Sequence, residues 1–180
     1  MEKQKFEQSH KTGFAVLLVL VGTCLVLGGC EGLKGYSNES LYPDDVCSVY
    51  VEMFENKGFR RGIEYQLTDA LAKRIEAGTP YKIISNRNRA DTVINGYIEG
   101  IRGSTYIFER ETGRALENAV ELEAVVNWKN LKTGELLIDH RPVRAAASYS
   151  EWQSQSFEYA STLAANRLAE RIVELMEKGW

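Results

Sequence analysis

The chain is poor in the groups that carry out covalent or metal chemistry. Its 180 residues include only two His and three Cys. His10 falls within the first thirty residues, which leaves His140 alone in the remainder. A single His beside Arg141 reads as surface decoration, and no His/Cys cluster has metal-ligand spacing. Three Cys are too few for a disulfide scaffold. Three Pro and a charged fraction of 26% exclude collagen-like and disordered chains. No sign of charge dominates either: 22 Lys and Arg stand against 25 Asp and Glu. A general nucleic-acid binder needs a basic surface to displace counterions, so no nucleic-acid partner is expected. No glycine-rich phosphate loop joins a strand to a helix, and there is no Gly-x-Ser-x-Gly elbow. No cofactor is therefore expected, and a length of 180 residues fits one globular domain.

Long apolar runs are also scarce, with one exception near the N-terminus. Residues 1–11 are polar and carry Lys3, Lys5 and Lys11, and Phe14 to Leu27 is then uncharged. That is the n-region and h-region of a signal peptide. As a helix the run spans roughly 21 Å, short of the roughly 30 Å hydrocarbon core, so a permanent transmembrane anchor is disfavoured. The run ends Leu27-Gly28-Gly29-Cys30. This resembles a bacterial lipobox, in which small residues admit the signal peptidase and the Cys thiol accepts a diacylglycerol. Acylation of the new amine adds a further chain (palmitate is the usual kind), and several chains on one residue anchor stably where one does not. Cys30 is the expected lipidation site. Residue 31 is Glu rather than Asp, which resembles the outer-membrane sorting pattern. The expected division is 1–29 as lipoprotein signal peptide, 30–45 as lipidated Cys and short tether, and 46–180 as the folded domain. Cys47 then lacks an intramolecular partner, and its place beside a strand predicts a small buried residue.

The folded part reads as strands and two helices. Val46 to Phe54 is β-rich, with Val49, Val51 and Met53 on one face. Phe59, Ile63, Leu67, Ala70, Leu71, Arg74 and Ile75 recur at helical spacing, and Gly78 and Pro80 stop the helix. A short strand follows at Tyr81 to Ser85, and a long one from Asp91 to Phe108, with Gly96, Gly100 and Gly103 as weak points or bulges. Arg110 to Arg114 forms a hairpin tip. In Ala119 to Asn130 an apolar face of Val120, Leu122, Ala124, Val126 and Trp128 alternates with Glu121, Glu123, Asn127 and Lys129. That predicts a sheet with one dry and one wet face. Pro142 marks the last strand, Glu135 to Ala147, as an edge or a bulge. Ser150-x-x-Gln153 predicts a capping box for a final helix with Phe157, Ala160, Ala164, Leu168, Ile172 and Leu175 as its stripe. Arg167, Arg171 and Lys178 suit its negative end. The order β-α-β, three antiparallel strands, then α predicts an α/β (α+β) two-layer sandwich. Two amphipathic helices pack on one face of a mixed four- to five-stranded sheet.

Few residues are candidates for chemistry. Glu121 and Glu123 lie about 7 Å apart by strand rise, a spacing like that of a glycosidase carboxylate pair. A solvated strand face explains them better, and replacing either by Gln would test the enzyme reading. Asp44-Asp45 reads as a turn. The pairs Arg60-Arg61, Arg87/Arg89 and Arg110/Arg114 fall near loops or helix starts, where guanidinium forks suit phosphates or anionic sugars.

Several stretches taken in order are similar to the LptE family of outer-membrane lipopolysaccharide-assembly lipoproteins. The lipobox lies just before Gly35-Tyr36-Ser37. Val49-Tyr50-Val51-Glu52-Met53-Phe54-Glu55-Asn56 follows, then Glu64-Tyr65-Gln66-Leu67-Thr68-Asp69-Ala70-Leu71, then Ala90-Asp91-Thr92-Val93-Ile94-Asn95-Gly96-Tyr97-Ile98. The resemblance spans the mature chain and is strongest from 46 to 101. It implies a non-enzymatic role: family members sit partly inside the β-barrel LptD, plug it, help it assemble, and contact lipopolysaccharide. It implies an LptD-like barrel and lipopolysaccharide as partners, with the domain held by its lipid anchor at the periplasmic face of the outer membrane. Glu52 and Cys47 depart from the family pattern. Among the Arg pairs, Arg110 and Arg114 come first as contacts for lipopolysaccharide phosphate or sugar, because a hairpin tip can enter a barrel lumen. The alternative is a periplasmic lipoprotein that activates a peptidoglycan synthase. That role needs a longer tether than residues 31–38 supply.

Overall fold

A computed structural model describes residues 40–108, 110–111 and 115–178. Cys30 and Arg114 lie outside the described residues. The described elements are β1 (Ser48–Val51), β2 (Glu55–Asn56), α1 (Ile63–Gly78), β3 (Lys82–Ile83), β4 (Thr92–Phe108), β5 (Ala115–Asn130), β6 (Leu136–Tyr149) and α2 (Phe157–Glu174). Single 3-10 turns sit at Arg87–Arg89 and Glu151–Gln153.

The sheet runs β3-β1-β4-β5-β6, with β2 also paired to β4. β1 pairs in parallel with both β3 and β4, and α1 supplies the crossover from β1 to β3. β4, β5 and β6 form an antiparallel meander. Both helices lie on one face. Leu67, Leu71 and Ile75 of α1 and Ala164, Leu168 and Ile172 of α2 meet Ile94, Leu122 and Val126 in one core. The dry stripe of β5 is as its alternation predicts, with Val120, Leu122, Ala124, Val126 and Trp128 all buried. α1 and α2 run parallel: Thr162 donates to Gln66 at 3.2 Å, and Arg74 meets Glu170 at 3.1 Å. Ala160, Ala164 and Ala165 are fully buried on α2. Their small side chains let the two layers approach closely.

Several local expectations are corrected. Cys47 is exposed, not buried. β1 begins at Ser48, two residues after Val46; Val46 and Val49 join the core, and the Ser48 hydroxyl donates to Asp91 at 2.8 Å. Met53 is 49% exposed because β1 ends at Val51 and a bend puts Phe54 in the core instead. α1 starts at Ile63 rather than Phe59. Gly62 sits at φ 100, a conformation that suits glycine and turns the chain into the helix. Phe59 is left fully exposed. α2 is capped by Ser156, which accepts from the Tyr159 N–H, while Gln155 accepts from the Ser150 N–H. The uncovered face of β5 is less wet than its sequence predicts, since Glu123 and Val125 are both buried.

Gly96 explains why β1 and β2 can lie against β4. A Cβ there would stand 2.8 Å from the Phe54 ring and 2.2 Å from the Val125 carbonyl oxygen. The other outer strand, β6, is protected along its free edge. Arg167 on α2 donates to the Ala146 carbonyl at 2.6 Å, and Arg171 donates to the Arg144 carbonyl. Pro142 removes one donor. A bulge sets Asp139 and His140 against Asn127, with His140 at φ 43. Bound carbonyls, proline and a bulge are recognised ways to blunt a sheet edge.

Candidate functional site

The two ends of the domain differ. At one, the first described residues join the core beside the C-terminal ends of both helices. The Lys178 N–H donates to the Leu41 carbonyl at 2.7 Å, and the Tyr42 hydroxyl to the Gly78 carbonyl at 3.4 Å. Tyr42 packs edge-on against Tyr81, which packs against Trp128. Burial raises the Tyr81 pKa, and its hydroxyl donates to the Pro43 carbonyl.

At the other end the β4–β5 hairpin outruns the rest of the fold. Gly103 lies beside Phe157 at the start of α2, and β6 ends opposite Asn118. β4 runs on for five residues past Gly103, about 17 Å at strand rise. Arg110 sits exposed in the turn that follows. The helix starts lie at this end too, in a cleft lined by Arg60, Arg61, Gln66, Ile101, Phe157 and Tyr159. Arg60 stacks on the Phe157 ring at 3.8 Å, and Arg61 donates to the Asn56 carbonyl at 3.2 Å. Asn56 also donates to Glu64; against desolvation, which acts to raise it, hydrogen bonds from the Glu64 N–H, the Asn56 side chain and the Gly62 N–H hold the Glu64 pKa below its ordinary value.

The sheet face away from the helices carries most of the remaining charge. Arg144 grips Glu123 through Nε at 2.7 Å and Nη2 at 2.5 Å, and Glu123 in turn raises the Arg144 pKa. Arg102 stands 3.8 Å from the same carboxylate with its side chain 77% exposed. Glu123 is thus an ion-pair partner held within the sheet. Glu52 accepts from Asn95 and from Arg87, and Lys57 sits over the Tyr97 ring at 3.1 Å. His140 bonds to its neighbour Asp139, and beside the helix C-terminal ends Asp44 pairs with Lys178.

The structure therefore scatters the sequence candidates. Arg60 and Arg61 fold back onto the protein, Arg87 is paired, and Arg110 remains exposed at the hairpin tip. Sequence reasoning missed Arg102, Arg144, Arg167 and Arg171. Only the Glu123–Arg144 pair had a readable signal, as opposite charges on adjacent strands. Among the described residues no group of three or more His, Cys, Asp or Glu converges, and no helix is long and apolar enough to cross a membrane.

Comparison with known proteins fits this architecture. The model of the LptE family, described as lipopolysaccharide-assembly, matches residues 47–177. The chain belongs to the LptE family. Its members are envelope-associated lipoproteins of lipopolysaccharide assembly. The match takes in every described strand and both helices. Among solved structures, this LptE chain is similar to lipoprotein B from Nitrosomonas europaea, at 13% identity and a TM-score of 0.54 over 79% of this chain and 88% of that one. It is also similar to the hypothetical protein CT253 from Chlamydia trachomatis, at 11% identity and a TM-score of 0.53 over 72% of this chain and 94% of that one. Identities this low speak for the fold alone. No curated protein matches the sequence.

Proposed function

We propose that this LptE-family protein is an outer-membrane lipoprotein, anchored through Cys30, that partners and plugs an LptD-like β-barrel and assists lipopolysaccharide assembly. The family match over residues 47–177 carries the reading. The geometry supports it. The chain joins the domain at the end where the helices finish, and ten residues from Cys30 to Ser40 reach at most about 35 Å. The β4–β5 hairpin, with Arg110 exposed in its turn, projects at the opposite end of the domain from Ser40. A narrow two-stranded projection with Arg110 exposed at its end has the shape to enter a lumen and meet phosphates or anionic sugars. Binding and shape do the work in this account; no group is asked to catalyse.

Depletion of the protein in its native host tests the reading. Lipopolysaccharide at the cell surface should fall, and newly made lipopolysaccharide should collect inside the envelope. Normal surface lipopolysaccharide with a loss of peptidoglycan synthesis would overturn the proposal in favour of the synthase-activator role.

A further inference from the structure

We draw no further inference here: the strongest candidate, the cleft at the starts of α1 and α2 lined by Arg60, Arg61 and Tyr159, sets Glu64 and Glu158 against its two guanidiniums, so only the helix N-termini are left and nothing in the structure points to a ligand there.

Discussion

Replacing Gly96 by Ala should damage the fold far more than the same change at Gly100, four residues along the same strand. The Ala methyl at 96 would stand 2.2 Å from the Val125 carbonyl oxygen, 3.2 Å from its carbon and 2.8 Å from the Phe54 ring. Real Cβ contacts essentially never fall below 3.0 Å, so β4 and β5 must part by roughly 1 Å here, or Phe54 must leave its seat. Overpacking of this kind costs about 1–3 kcal/mol, and weakening one or two ladder bonds adds about 1 kcal/mol each. A total of about 3 kcal/mol lowers Tm by about 10 °C in a domain of this size. At Gly100 an added Cβ meets nothing within 4 Å, and the change should lie within about 0.5 kcal/mol of wild type. Thermal and urea unfolding followed by circular dichroism measure both. Equal midpoints for the two variants would refute the close approach of Phe54 and β5 at Gly96.

Two further outcomes follow from the polar contacts. Replacing both Arg167 and Arg171 by Ala frees the Ala146 and Arg144 carbonyls on β6. It should cost about 1–2 kcal/mol and, by reopening a sheet edge, produce concentration-dependent association in sedimentation velocity. A double variant that stays monomeric at high concentration would contradict the guarding role. At Asp91, the bond from Lys132 and then that from the Ser48 hydroxyl lower the carboxyl from 3.8 to about 2. A depressed carboxyl contributes stability above its unfolded value, and that contribution is lost as pH falls from about 4 through about 2. Because Lys132 is 70% exposed, screening limits the effect to about 1 kcal/mol. Urea midpoints between pH 5 and pH 2 should fall less steeply in Asp91→Asn than in wild type, and parallel curves would contradict the assignment.

The meander and the two-layer architecture were legible because they follow from periodicity. Val120 to Trp128 alternate with one break at Val125, and the α1 and α2 stripes repeat every three or four residues. Pro142 on an edge strand was legible too, since a missing donor has few places to go. What escaped depended on contacts between elements far apart in sequence. Arg167 and Arg171 read as charges suited to a helix end, yet they reach across to β6. Ser150-x-x-Gln153 has the letters of a cap, but the turn at Glu151–Gln153 moves the helix start to Ser156. The bulge at Glu99 in β4 falls beside Gly100, a position the sequence marks as a weak point, whereas the exact place of the bulge opposite Asn127 in β6 is set by pairing register. Glu123 looked like a solvated carboxylate because its partner Arg144 lies a full hairpin away. Of the candidate contacts for lipopolysaccharide, Arg110 is exposed at the hairpin tip, whereas Cys30 and Arg114 lie outside the described residues.

The central claim is that this LptE-family domain works by seating itself in a β-barrel. Mild detergent extraction of native outer membranes carrying a tagged copy, followed by mass spectrometry of what co-purifies, tests it most directly. The account predicts a large β-barrel protein in near-stoichiometric amount. A peptidoglycan synthase in its place, or no partner at all, would contradict it.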